Sequence, residues 1–271
     1  MYRLVAMDLD DTLWEADKRI LPGTVDVLRR LLEKGVHIAI ASGRITQTQM
    51  RTSAVIGDKV SYVSYNGAVV IFEDGGKVEY QVPTEVIRDV VLYCRERKLF
   101  PISYNGGGIY VEQDSPLLRQ DIDTQCADFL KVIDMTGPDL LPSPKVVVIT
   151  DPDRADTVVA ELADRYPDMI VTRSSPPVIE IMPHGVDKAH GLSLVCEELG
   201  IEPKDAVVIG DNYNDISMVT WAGLGVAVGN AVDDLKKVAG MVTEKQRSAG
   251  VEEALRRIFS DLLSDGNGIL S

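Results

Sequence analysis

The stretch YRLVAMDLDDTLW (Tyr2–Trp14) decides how this chain is read. Leu4 to Met7 is a short run, apolar on both faces, the pattern of a strand buried inside a parallel sheet. It runs straight into Asp8, Asp10 and Asp11, followed by Thr12. Carboxylates crowded this closely repel one another, so their place at the end of a buried strand calls for a compensating partner.

Working outward, PGTVDVLRRLLEKG (22–35) predicts a helix. Pro22 stands near its start, Leu28, Leu31 and Leu32 give it an apolar face, and Gly35 stops it. VHIAIASGR (36–44) is a second buried strand ending in a small polar turn. Strand, helix, strand is the rhythm of a parallel α/β sheet. After a helix expected around ITQTQMRTSAVIG (45–57), the rhythm changes: Asp74-Gly75 is a hairpin signal between two alternating segments. From about Pro83 to Pro183 the pattern is α+β. Helices are expected over 84–99, 115–129 and 151–166, a Gly-turned hairpin over 101–113, and strands at 145–150 and on either side of Pro176-Pro177. The first rhythm then returns, with helices over 185–200, 214–223 and 231–240 and strands over 205–211 and 224–230. A parallel-sheet domain interrupted by an insert is the expected organisation, with the core at 1–82 and 184–271 and the insert at 83–183.

Bulk properties narrow the class. The formal net charge is −14, which argues against a nucleic-acid binder, because that needs a basic stripe. It leaves room for a small anionic substrate held by a few local cations. Cys94, Cys126 and Cys196 are widely spaced, without C-x-x-C, and suit neither a disulfide framework nor a zinc ribbon. They read as small core hydrophobes in a reducing cytosol. No apolar run approaches a membrane span, and Asp8 interrupts any apolar leader. A soluble, cytoplasmic protein is expected; the oligomeric state is not indicated.

The polar residues gather where the predicted parallel strands end, which is where open α/β sheets bind ligands. One strand ends in Asp8-Leu9-Asp10-Asp11-Thr12, another in Ser42-Gly43-Arg44, a third in Gly210-Asp211, with Asn214 and Asp215 opening the next helix. Side by side, Asp8, Asp10, Asp211 and Asp215 share one volume, which is costly unless a cation neutralises them or their pKa values rise; all-oxygen ligation suits Mg²⁺. Ser42 and Gly43 are expected at a helix N-terminus able to receive a phosphate. Thr12 adds a hydroxyl, and Lys188 a positive charge in the first turn of its helix. Taken singly, Asp-x-Asp is a turn or cap, Ser-Gly-Arg a turn, and a lysine at a helix start a solvated side chain. The set on one rim points to phosphoryl transfer. In that chemistry Asp8 attacks phosphorus, and Asp10 protonates the leaving alkoxide and later deprotonates water.

These residues resemble the four motifs of the haloacid dehalogenase superfamily, in the arrangement of its Cof-type phosphatases. DLDDT resembles the first motif, Ser42 to Arg44 the second, Lys188 in GVDKAHGL the third, and GDNYND (Gly210–Asp215) the fourth. The resemblance implies a Rossmann-like parallel-sheet core domain with an inserted α+β cap domain. It also implies Mg²⁺ held by Asp8, by the Asp10 carbonyl and by Asp211, with Asp215 in support. Asn214 and Asn66 are implied at the site edge, and the partner is a small phosphorylated metabolite. One departure is plain: the family's D-x-D-G-T has glycine where this chain has Asp11, which is expected to point outward and cap the turn. The cap is expected to close over the site and choose the leaving group. Tyr104, Asn105, Arg119, Arg173 and His184 are candidates to reach in; His37 and His190 read as structural. A phosphotransferase or mutase on the same scaffold remains an alternative. So does a receiver-like phospho-acceptor domain, although a hydrolytic base at Asp10 argues against it.

Overall fold

The fold, a computed structural model, is described for residues 1–114, 127, 129–175 and 178–264. Arg119, Cys126 and Pro176-Pro177 lie outside the described residues, as does nearly all of the helix expected over 115–129. Phe129, at the end of that expected helix, instead opens a strand. The chain divides into two compact units, residues 1–43, 49–77 and 187–271 in one and residues 44–48 and 78–186 in the other.

In chain order, β1 (Leu4–Met7), α1 (Pro22–Glu33), β2 (His37–Ala41), α2 (Thr46–Ser53), β3 (Val60–Ser64), β4 (Val69–Ile71) and β5 (Lys77–Glu79) come first. Next are α3 (Thr84–Arg97), β6 (Phe100–Asn105), β7 (Gly108–Val111), β8 (Phe129–Val132), β9 (Val146–Ile149), α4 (Ala155–Arg165), β10 (Met169–Ser175) and β11 (Val178–Pro183). The chain then forms α5 (Lys188–Leu199), β12 (Ala206–Gly210), α6 (Ile216–Trp221), β13 (Leu224–Ala227), α7 (Asp233–Val238) and β14 (Met241–Val242). It ends with α8 (Arg247–Ile258) and α9 (Ser260–Leu263). These last two helices and β14 are additions to the elements read from the sequence.

The first unit is built on an eight-stranded sheet in the order β14-β13-β12-β1-β2-β3-β4-β5. From β14 to β3 neighbouring strands run parallel, and β4 turns back antiparallel on β3. All of β1 is buried, as its unbroken apolar run requires of a central parallel strand. Pro22 sits in the first turn of α1, where its missing N–H costs nothing, and Thr24, Val27, Leu28 and Leu31 form the buried face. Met7 lies opposite Ile40 on one side and Ile209 on the other, so Asp8, Ala41 and Gly210 emerge at one level. Strand order reverses at β1: the chain fills β2 and β3 on one flank and returns for β12 to β14 on the other. That reversal opens a crevice beyond the strand ends, and Asp8 stands at it.

The second unit carries a six-stranded sheet in the order β10-β11-β9-β6-β7-β8, antiparallel except for the β7–β8 pair. Ile87, Val90, Val91 and Cys94 of α3 and Val158 and Leu162 of α4 pack with Val146, Val148, Ile179 and Ile181 into its core. Strand alternation turns Glu180 to the opposite face, where it holds the buried Lys145 ammonium at 2.8 Å.

Candidate active site

The site is assembled in the first unit. Asp8 leaves β1 buried, its N–H donating to the Ile209 carbonyl at 2.9 Å. The next five residues make a tight turn: the Trp14 N–H reaches the Leu9 carbonyl at 2.8 Å, and the Leu13 N–H reaches that of Asp8 at 3.3 Å. Within it Asp11 takes the left-handed conformation, φ +57° and ψ +6°, the region where glycine is at ease. Its carboxylate does not cap the turn as expected; it accepts instead from Arg247 Nε at 2.9 Å. Thr12 is buried and donates its hydroxyl to Asp211 Oδ1 at 2.7 Å.

Lys188 opens α5. Asp187 caps that helix by accepting the His190 N–H at 2.8 Å, and Gly200, at φ +61°, closes it. The Lys188 ammonium is fully buried and lies 2.6 Å from both Asp8 Oδ1 and Asp215 Oδ1. Asp215 Oδ2 accepts the N–H groups of Asp211 and Asn212 at 2.9 and 3.0 Å, so this carboxylate is fully committed to the lysine and the loop.

Burial sets the electrostatics. Loss of water pushes the Asp8 carboxyl well up; the Lys188 charge opposes this, and Asp215 and Asp211 add to it. Burial also pushes Asp211 up, to about 7, against the Thr12 hydrogen bond and with the Asp215 charge. Burial would lower Lys188, but the Asp215 and Asp8 carboxylates overcome it and hold the ammonium charged. One ammonium thus touches two of the three buried carboxylates, and ionising all three there is costly unless a further cation joins them.

Oxygens of Asp8, Asp211 and Asp215 lie within 4.8 Å of one another, the donor chemistry of a hard divalent cation. Asp8 and Asp211 each have one oxygen engaged, leaving Asp8 Oδ2 and Asp211 Oδ2 without a hydrogen bond among the described residues. A small cation that keeps most of its water fits that pair. Asp10 sits half-buried in the same turn.

The second motif differs from its expected geometry. The Ser42 N–H is spent on the Val63 carbonyl at 2.9 Å, and α2 starts only at Thr46, so Ser42 and Gly43 precede the helix rather than begin it. A Cβ on Gly43 would stand 3.1 Å from Asn66 Oδ1, and Asn214 Nδ2 reaches the same oxygen at 3.3 Å. Asn66 thus joins the second and fourth motifs at one edge.

The other candidates belong to the second unit. Tyr104 is buried, with its N–H on Ser143 Oγ at 2.8 Å; Asn105 Nδ2 donates to the Pro142 carbonyl at 2.9 Å. Arg173 is paired with Asp156 at 2.8 Å, and His184 is exposed. Four residues escaped the sequence reading: Lys145 and Glu180, which pair with each other, Asn230 and Arg247. Asn230 follows the end of β13, so the strand-end rule pointed to it; nothing local marks Arg247.

An open parallel sheet with carboxylates and a buried lysine at its switch point defines an α/β enzyme that takes its ligand beyond the strand ends. Residues 5–255 match the haloacid dehalogenase-like hydrolases. A haloacid dehalogenase-like hydrolase from Bacteroides thetaiotaomicron superposes with a TM-score of 0.89 and 31% identity, over 96% of this chain and 100% of that one. The 5-amino-6-(5-phospho-D-ribitylamino)uracil phosphatase YitU of Bacillus subtilis is 27% identical over 95% of this chain and 97% of its own. A phosphoglycolate phosphatase of Methanothermobacter thermautotrophicus is 28% identical over 95% and 99%. The chain belongs to this family: it is a haloacid dehalogenase-like hydrolase of the Cof type, in the phosphatase branch of the superfamily. Among the described residues no helix is long and apolar enough to cross a membrane.

Proposed function

We propose that the protein hydrolyses a small phosphomonoester through an aspartyl-phosphate on Asp8. The observation that carries this reading is Lys188, clamped between Asp8 and Asp215 at 2.6 Å each, with Asp211 beside them. The clamp fixes one oxygen of Asp8 and so aims the other. In the first step the Asp8 carboxylate attacks phosphorus, the P–O ester bond breaks, and Asp10 gives its proton to the leaving alkoxide. In the second step Asp10 takes a proton from water, the water oxygen bonds to phosphorus, the P–O bond to Asp8 breaks, and inorganic phosphate leaves. Lys188, the Thr12 N–H, the Ser42 hydroxyl, Gly43 and Asn214 hold the equatorial oxygens. Mg²⁺, held by Asp8, Asp211 and the Asp10 carbonyl with Asp215 steadying the loop, would supply charge neutralisation between carboxylate and phosphate.

The second unit selects the leaving group, with Tyr104, Asn105, Arg173 and His184 as the residues to vary first. Buried free thiols at Cys94 and Cys196 suit a reducing compartment, and we assign the protein to the cytoplasm. The test is phosphate release over a panel of phosphoglycolate, sugar phosphates, flavin mononucleotide and 5-amino-6-(5-phospho-D-ribitylamino)uracil. Turnover that needs added Mg²⁺, stops with excess chelator and disappears in Asp8→Asn is the expected result. Full activity in Asp8→Asn overturns the reading, and phosphate transferred only to an added sugar makes the protein a phosphotransferase.

A further inference from the structure

The turn that carries Asp10 and Thr12 is tied to a segment 236 residues away. Three hydrogen bonds close a ring: Arg247 Nε to Asp11 Oδ1 at 2.9 Å, Arg247 N–H to Asn230 Oδ1 at 2.8 Å, and Asn230 Nδ2 to the Asp11 carbonyl at 2.8 Å. Both ends of the ring are strained, since Asp11 has φ +57° and Arg247 φ +49°. Non-glycine residues keep that conformation where their surroundings enforce it. The Asp11 and Arg247 side chains are 57% and 32% exposed, and an ion pair this open adds little to global stability. Its effect is local, because it sits on the one residue between Asp10 and Thr12.

We infer that Arg247, braced by Asn230, is a positioning residue that holds Asp11 in the left-handed conformation and so fixes the aim of Asp10 and Thr12. The inference rests on the phosphatase reading above. A glycine adopts the same conformation unaided. Arg247 is therefore needed because position 11 is an aspartate, and the need should vanish when the aspartate does.

The experiment is a cycle of wild type, Asp11→Gly, Arg247→Ala and the double variant, with p-nitrophenyl phosphate and the best substrate of the panel. Arg247→Ala is expected to lower kcat about tenfold with KM changed less than about twofold, the signature of a misplaced reacting group. In the Asp11→Gly background the same substitution should change kcat by less than about twofold, a coupling that a merely structural arginine would not show. Arg247→Gln is a gentler second variant, expected to show the same rescue. Hydrogen exchange at the Leu13 and Trp14 amides, whose bonds to Asp8 and Leu9 close the turn, gives a reading without substrate or metal. Protection there should fall in Arg247→Ala and return in the double variant. Unchanged protection, or a kcat loss equally large with glycine at position 11, overturns the inference. Loss of the phosphatase reading itself would show instead as an inactive wild type or an active Asp8→Asn.

Discussion

Lys188 shows how much of this site turns on single charges. Its ammonium is buried with two carboxylates at 2.6 Å. Removing one partner of a buried pair leaves the rest uncompensated, at a cost of about 3–5 kcal/mol. Lys188→Ala is expected to lose that much stability by urea denaturation and to lose turnover. Adding Asp215→Asn removes charge with charge, so the double variant should recover part of the stability and none of the activity. Recovery of activity would detach Lys188 from the chemistry. The residues of this clamp were legible in the sequence because each stands where a buried strand ends or a helix begins. Asp11 was legible as an oddity but not in its consequence: its partner, Arg247, is distant in sequence and opens α8, a helix not among the elements read from the sequence. The Ser42 N–H was misjudged for a related reason, since an amide's partner in a neighbouring strand leaves no trace in the local pattern.

At the scale of elements, the turn between β3 and β4 decides where α5 can sit. Tyr65, Asn66 and Gly67 all have positive φ, at 51°, 54° and 106°. Asn-Gly marks a turn in any sequence, but the reason for glycine here is a contact: a Cβ on Gly67 would lie 2.1 Å from the Asp187 carbonyl, at the cap of the helix that Lys188 opens. Gly191, one turn further on, passes as close, with its added Cβ 2.4 Å from Val63 Cγ1. Gly67→Ala must therefore strain the backbone and push α5 outward, a loss of about 2–4 kcal/mol in stability with kcat reduced. Gly35→Ala is the control. Gly35 also has positive φ, at 80°, but no atom lies within 4 Å of the added Cβ, so only about 1 kcal/mol for the backbone is expected. Equal losses in the two variants would mean that the close approach to Asp187 is relieved by a small shift. The helices and strands themselves followed from hydrophobic period and from Pro22, Gly35 and Gly200 at their ends. The contacts that fix their spacing did not, because a glycine's neighbours lie across the fold.

Each of the two compact units holds a buried thiol that can serve as a reporter. Cys196 lies in α5 of the first unit, and Cys94 in α3 within the core of the second. Burial pushes Cys94 up to about 12 and Cys196 up to about 11, so both thiols stay protonated in the folded state at pH 8. The reactive species is the thiolate, and an unfolded cysteine titrates near 8.5. Labelling by a thiol reagent at pH 8 should therefore be slow when folded and fast once the unit around the thiol opens. A Cys126→Ser background leaves only these two thiols, and mass spectrometry of the labelled peptides assigns each. Separate compact units, between which the chain crosses four times, are expected to open separately in urea. Gly67→Ala is the means of testing this, because its strain falls wholly in the first unit. It should lower the urea midpoint for Cys196 labelling and leave that for Cys94 in place. A matched shift at both thiols would mean that the units unfold as one cooperative body, and that strain near Lys188 is felt by the domain proposed to choose the substrate.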